Sequence, residues 1–141
     1  MGDVPVQDNA SMRATRALSD SAGHLRAELL VFKEACDAMV RESTPGQPVS
    51  VTIELMERLH VRELRERVTS AIEEFEEARH NVRLVLIAGA QDQGRNISEV
   101  ARAIGVSRQL TSRLAAEAKQ RKGLAEDAER DSGEDDRSTI P

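Results

Sequence analysis

The chain has 141 residues and a net charge of −5, and Phe32 and Phe75 are its only aromatic residues. This length predicts one domain with extensions at its ends. The apolar 39% is mostly aliphatic, which favours packed helices over a β-sandwich, so we expect an all-α protein. The single cysteine, Cys36, excludes an intramolecular disulfide, and neither a membrane-spanning run nor a signal peptide is predicted, which favours a cytoplasmic protein.

The first predicted helix follows a short polar arm. Residues 1–10 lack periodicity, which predicts a flexible segment. Apolar residues then recur every three or four positions, as in a helix that buries one stripe. This first heptad seam consists of Leu18, Ala22, Leu25, Leu29, Phe32, Cys36 and Met39. It predicts a helix over residues 11–42.

Pro45 and Pro48 end this helix because proline lacks the amide donor that a helix needs. Residues 49–53 alternate briefly, which allows a short extended segment before a second helix over residues 52–93. The second heptad seam consists of Val61, Leu64, Val68, Ala71, Phe75, Ala78, Val82 and Val85. We therefore expect two long helices separated by one turn.

The second helix has two irregular features. Leu55 and Leu59 fall outside the phase of its seam, so its first turns are expected to pack differently. Ile72 and Leu86 widen the apolar stripe from a narrow coiled-coil seam to a bundle-type face.

The two helices predict an antiparallel hairpin over residues 11–93. A hairpin buries two such stripes only in part, so we expect a homodimer that forms a four-helix bundle. The second helix is also the longer one, and its overhang, residues 84–93, is placed to serve as the first helix of a C-terminal unit over residues 84–122.

Charge is unevenly distributed along the chain. Residues 95–122 contain seven basic and two acidic side chains, for a charge of +5. Residues 1–94 contain 11 basic and 16 acidic side chains, and residues 123–141 contain two and seven, for −5 each. A local basic segment of this kind is typical of a surface that contacts phosphate.

This basic segment contains the signals of two short helices joined by a tight turn. Asn96 and Glu99 have the spacing of a capping box, and Ser107 is placed to cap the second helix. Gly105 ends the first helix, where the left-handed conformation favours glycine. The inner face of both helices is formed by Val100, Ala101, Ile104, Val106, Leu110 or Thr111, and Leu114.

The stretch EVARAIGVSRQLTSRL, residues 99–114, closely resembles the helix-turn-helix of lactose-repressor-type regulators. It is also similar to small bacterial proteins in which a long helix leads into such a motif. The resemblance implies a recognition helix over residues 107–119, with Arg108, Gln109 and Arg113 contacting bases. It implies a motif core of Val100, Ala101, Ile104, Gly105, Val106, Thr111 and Leu114.

Candidates for phosphate contacts surround the predicted reading face. Ser107 and Ser112 follow from the resemblance, and the complete set is Arg95, Asn96, Ser98, Ser107, Ser112, Arg121 and Lys122. Thr111 departs from the family pattern, in which this position holds Val or Ile. Its hydroxyl needs a hydrogen-bond partner, or Thr111 turns outward and Leu110 packs in its place.

Catalytic and metal sites are not predicted. Glu57 with His60, and Glu77 with His80, have the Glu-x-x-His spacing of di-iron bundles, but they lie about 30 Å apart on one predicted helix. No nucleophile–base set or phosphate-binding glycine loop is evident. We therefore expect a non-enzyme without cofactor, metal or evident small-molecule ligand.

These patterns predict a bacterial, cytoplasmic and nucleoid-associated homodimer that binds specific double-stranded DNA. Transcriptional regulation, by default repression, is the first hypothesis. The alternatives are a helical adaptor that binds a partner protein and a plasmid-partition or nucleoid-organising protein. Residues 123–141 are acidic and predict a disordered tail, or alternatively a decoy that competes with DNA for the basic segment.

Overall fold

The computed structural model describes residues 6–134, and all regular secondary structure within this range is α-helical. The helices are α1 (Val6–Glu42), α2 (Val49–Arg58), α3 (Val61–Asp92), α4 (Ile97–Ile104) and α5 (Arg108–Glu134). The all-α prediction is confirmed. None of the described helices combines the length and apolar character that crossing a membrane requires.

Helix α1 begins earlier than predicted. Its first residue is Val6, so the prediction of a flexible arm is wrong for residues 6–10, whereas residues 1–5 lie outside the described part of the chain. Polarity alone misled the prediction, because polar residues also occupy the exposed faces of helices. The predicted end at residue 42 is confirmed.

The segment at residues 49–53 is helical, so the extended alternative is wrong. Pro48 occupies the N-cap of α2 with φ −60° and ψ 145°, and its carbonyl accepts from the amide of Val51 at 3.0 Å. Gln47 fixes the preceding turn, because its side chain accepts from the Thr44 amide and donates to Thr52 Oγ1 at 2.8 Å. A short apolar alternation does not separate a strand from one turn of helix.

The predicted single helix over residues 52–93 is also wrong, because a turn at Leu59 and His60 separates α2 from α3. His60 has φ 54°, a left-handed conformation that a continuous right-handed helix cannot contain. Leu55 and Val61 are 6% and 8% exposed, although six positions in one continuous helix would place them about 120° apart. The break lets both side chains be buried, which explains the phase change noted in the sequence.

Contacts divide the chain into two compact units, and α1 and α3 contribute to both. The hairpin unit, as we call residues 13–80, contains most of α1, all of α2 and the first part of α3. Its ion pairs join α1 to the later helices: His24 Nδ1 lies 3.0 Å from Glu74 Oε2, Arg67 Nη2 donates to Glu28 Oε1 at 3.0 Å, and Arg58 pairs with Glu42.

The heptad seams of the hairpin unit are buried to different extents. On α3, every predicted seam residue from 61 to 78 is buried or half-buried. On α1, Leu18, Leu25, Phe32, Cys36 and Met39 are half-buried, but Ala22 and Leu29 are exposed. The residues that lie inward in their place are polar or small, namely Ser21, Glu28 and Ala35. The buried row of α1 is therefore rotated away from part of its apolar stripe.

The second compact unit, which we call the C-terminal unit, contains residues 6–12 and 81–134 of the described chain. Its core consists of Leu84, Ile87, Leu114 and Ala118, with Ala88, Val100, Leu110 and Ala115 packed against them. The end of α3, α4 and α5 thus share one core. Helix α5 continues to Glu134, so the prediction of disorder is wrong for residues 123–134, and residues 135–141 lie outside the described range.

Candidate nucleic-acid interface

The turn between α3 and α4 is fixed by backbone hydrogen bonds. Gly94 has φ 65°, its amide donates to Gln91 O at 3.1 Å, and the Arg95 amide donates to Ala90 O at 2.8 Å. These two bonds form a Schellman motif, which satisfies the last carbonyls of α3. Asn96 then caps α4, because its side-chain oxygen accepts from the Ser98 amide at 2.9 Å. The sequence predicted this N-cap correctly.

The turn between α4 and α5 is equally well defined. Gly105 has φ 70°, and its amide and that of Val106 both donate to Ala101 O. Ser107 Oγ accepts from the Leu110 amide at 3.2 Å, as an N-cap does. The predicted helix end at Gly105 and the predicted cap at Ser107 are both present. Only two residues thus connect α4 and α5 beyond the left-handed Gly105.

The side chain of Thr111 is buried in the motif core, so the alternative in which Thr111 turns outward is wrong. It is 5% exposed, and its hydroxyl donates to Ser107 O at 2.8 Å. Leu110 is half-buried and packs against the same core, so both residues contribute to it. Of the remaining positions of the predicted motif core, Ala101 and Leu114 are buried, and Val100, Ile104 and Val106 are half-buried. Gly105, in the turn, is exposed, so its inclusion in the core was wrong.

The opposite face of the first turns of α5 is exposed and carries hydrogen-bond donors. Arg108, Gln109 and Arg113 are all exposed, and their side chains make no hydrogen bond or ion pair with other residues in the described range. Positions i, i+1 and i+5 lie on one side of a helix. Arg108 also lines a groove of about 600 Å³ beside α4. The three predicted base-contacting side chains are thus brought together.

Four hydroxyl and amide side chains were predicted to contact phosphate, and they differ in exposure and in the hydrogens they have left to donate. Ser98 is half-buried, whereas the other three are exposed. The oxygen of Asn96 is used as a cap, which leaves its amide NH₂ available. Ser107 Oγ accepts a hydrogen bond, so its own hydrogen remains available. Ser112 Oγ donates to Arg108 O at 3.2 Å, so its hydrogen is already used within the helix. Asn96 and Ser107 are therefore better phosphate donors than Ser112.

The predicted phosphate contacts at the far end of the basic segment are already paired. Arg121 lies 3.4 Å from Glu117, and Lys122 lies 3.2 Å from Asp92 at the end of α3. Both side chains stay more than half exposed, so these pairs are screened by solvent and offset the positive charge only locally.

Lys119 is a candidate that the sequence reasoning missed. It is exposed and lies eleven positions after Arg108, which is about three helical turns and returns to nearly the same side of α5. That spacing was readable in the sequence. Among residues 6–134, no group of three or more metal-ligating side chains lies close enough to hold a metal ion.

Comparison with known proteins gives no relative for this chain: no family model, no curated protein and no solved structure matches it.

Proposed function

We propose that the protein is a homodimeric, sequence-specific DNA-binding protein of the bacterial cytoplasm that regulates transcription. The first turns of α5 enter the major groove. The observation that carries this proposal is the exposed, unpaired set of Arg108, Gln109 and Arg113 on a helix whose start is held by two capped turns. Side chains on a rigid helix reach bases with a defined geometry, whereas those on a loose segment do not.

The chemistry of these three side chains suits base edges. Arginine donates two parallel hydrogen bonds to guanine O6 and N7, and glutamine bonds adenine N6 and N7 in the same way. Ala116 is also exposed on this side of α5, and its small side chain permits close approach to DNA. In this proposal, two arginines and one glutamine read the base sequence of the DNA.

Cations around this face supply affinity that does not depend on sequence. Arg95 and Lys119 are exposed and make no ion pair with other described residues. Each phosphate that such a side chain neutralises releases counterions, so binding weakens as salt rises. We assign positioning to these cations and base reading to the start of α5.

The hairpin unit supplies dimerisation in this proposal. Its ion pairs connect position 24 with 74, 28 with 67 and 42 with 58. Residues later in α1 thus pair with residues earlier in the following helices. This order supports an antiparallel hairpin of α1 and α3. A symmetric dimer of such hairpins would present two copies of α5 to an inverted repeat, with half-sites about 34 Å apart.

The test begins with selection of bound sequences from randomised duplexes, followed by binding titrations of the selected duplex and a scrambled one. Arg113→Ala should lose about 1–3 kcal/mol on the selected duplex, or roughly 5- to 150-fold, and much less on the scrambled duplex. Arg108→Ala and Gln109→Ala should behave alike. Arg62→Ala is the matched control, because it removes an exposed arginine of the hairpin unit.

The outcomes separate the candidate roles. If all three variants lose equally on both duplexes, α5 positions the protein without reading sequence, and a partition or nucleoid-organising role replaces regulation. If the native protein binds no duplex even at low salt, DNA binding is refuted. The adaptor function then becomes the better explanation, because exposed apolar side chains such as Val49 and Ile53 on α2 suit a protein partner.

A further inference from the structure

An apolar groove lies on one side of the hairpin unit. It has a volume of about 400 Å³. Its apolar lining residues are Ala22, Leu25, Leu29, Leu30 and Phe75, and its charged lining residues are Arg26 and Lys33. Leu29 and Leu30 are 45% and 52% exposed. The groove contains the part of the α1 seam that the buried row leaves uncovered.

Charged side chains occupy a different side of the same unit. His24 contacts Glu28 and Glu74, and Arg67 donates to Glu28. On α1, position 24 lies about 140° around the helix axis from position 29. The hairpin unit therefore has one side on which charges pair within the chain and another on which apolar side chains meet solvent.

An apolar ridge with acidic flanks lies on α3. Ile72 is 44% exposed and precedes Phe75 by almost one helical turn. Glu73 and Glu76, one and four positions after Ile72, are exposed. This ridge complements the groove in apolar character and in charge, because Arg26 and Lys33 lie beside exposed leucines there.

We propose that the groove of one protomer receives the Ile72 ridge of a second copy of the chain, and that its own ridge occupies the groove of that copy. The proposal deepens the homodimer part of the proposed function. Because every copy carries both surfaces, a two-fold axis makes both contacts at once and closes the assembly at two subunits. Burying Ile72 against leucines removes apolar surface from water, which drives the association.

The charges of the two surfaces are the reason for assigning the groove to a second copy of the chain. Arg26 at the groove and Glu73 on the ridge make no ion pair with other described residues. Lys33 and Glu76 add to these charges, although each pairs within its own helix, with Asp37 and Arg79. The pKa of Lys33 is raised by its hydrogen bond to Asp37 and by the charge of that carboxylate, which also offsets part of the positive charge of Lys33. Opposite charges at the rim of an interface align the partners and disfavour wrong ones.

The first experiment measures the mass of the full-length protein by sedimentation equilibrium without DNA. The native protein should have twice the 15.5 kDa chain mass at micromolar concentration. Leu29→Glu should raise the dimer dissociation constant at least about tenfold, because it places two charges in the apolar contact. The isolated helix should tolerate this change, because a glutamate four positions before Lys33 makes a favourable pair.

Ala27→Glu is the matched control. It adds the same charge at an exposed position of α1, about 160° around the helix from Leu29, and should leave the mass unchanged. A dimer that survives Leu29→Glu, or one that Ala27→Glu disrupts equally, would overturn this interface. So would a native protein that is monomeric.

A charge-reversal experiment tests the pairing itself. The groove variant combines Arg26→Glu with Lys33→Glu, and the ridge variant combines Glu73→Lys with Glu76→Lys. Each variant repels its own copies and should dissociate at least about tenfold more readily. An equimolar mixture should form heterodimers of near-native affinity, because each contact then joins opposite charges. Circular dichroism of each variant checks that the helices persist.

Failure of the mixture to restore dimers would refute the assigned partners even if both variants are monomeric. Because all masses are measured without DNA, the dimer interface and DNA binding can be refuted independently of each other. A dimer that uses this face but binds no duplex refutes DNA binding alone. A protein that binds duplex as a monomer refutes the interface alone.

Discussion

The two compact units differ in how completely one chain buries its apolar residues. The largest fully buried side chains, Ile87 and Leu114, both belong to the C-terminal unit. In the hairpin unit, three of the five buried apolar residues are alanines. Of the eleven large apolar residues that are exposed within residues 9–133, nine also lie there: Leu29, Leu30, Val31, Val40, Val49, Val51, Ile53, Met56 and Ile72.

This difference indicates which unit is complete by itself. A core with fully buried side chains has its stabilising contacts within one chain. A helix or hairpin that leaves several large apolar side chains in water keeps part of its hydrophobic driving force for a partner. Protein concentration should therefore matter to the hairpin unit and not to the C-terminal unit.

The largest effect should come from truncating the closed core. Leu114→Ala should lower the free energy of unfolding of the C-terminal unit by about 2–5 kcal/mol, independently of protein concentration. Leu29→Ala should cost less in dilute solution and progressively more as concentration rises, because the dimer buries it. Denaturant unfolding at several concentrations measures both costs. Equal concentration dependence of the two variants would contradict the comparison between the units.

A smaller effect is expected from the turn that joins α4 and α5. Gly105→Ala should cost about 1–2 kcal/mol, because φ 70° is strained for any residue with a Cβ atom. Gly23→Ala is the control, for which the opposite effect on stability is expected. Gly23 lies within α1 with no atom within 4 Å of an added Cβ, so the change should stabilise that helix by up to about 1 kcal/mol. If both substitutions act in the same direction, backbone conformation is not the cause.

The smallest effect should come from the hydroxyl of Thr111. Ser107 O accepts from both the amide and the hydroxyl of Thr111, so Thr111→Val leaves that carbonyl bonded. Valine has nearly the same shape, and the change in unfolding free energy should stay below about 0.5 kcal/mol. A loss above about 2 kcal/mol in thermal unfolding would show that the hydroxyl, and not the shape of Thr111, holds the turn.

Local signals predicted the C-terminal unit better than the hairpin unit. The Asn96 cap, the left-handed Gly105 and the Ser107 cap are each set by residues within four positions, and all three are present. The break at His60 was harder to predict because no glycine or proline marks it. Its signal was that Leu55 and Leu59 fall outside the phase of the later seam.

Long-range choices were less accessible from the sequence. The heptad pattern of α1 identified an apolar stripe but did not show that Ser21 and Glu28 lie inward while Leu29 is exposed. Glu28 accompanies this rotation with a cross-helix pair to Arg67, a contact that no local rule specifies. In the same way, the pairing of Lys122 with Asp92 joins residues 30 positions apart.

The continuity of α5 separates its two charged halves in space. A helix of 27 residues is about 40 Å long, so Asp131 and its acidic neighbours lie roughly 30 Å from the arginines of the first turns. A rigid rod does not fold back on itself, and salt screens charges beyond about 8–10 Å. The acidic turns within residues 123–134 thus do not shield the basic face of their own chain. They instead give the far end of the rod a negative potential, so α5 has one basic end and one acidic end that repels polyanions.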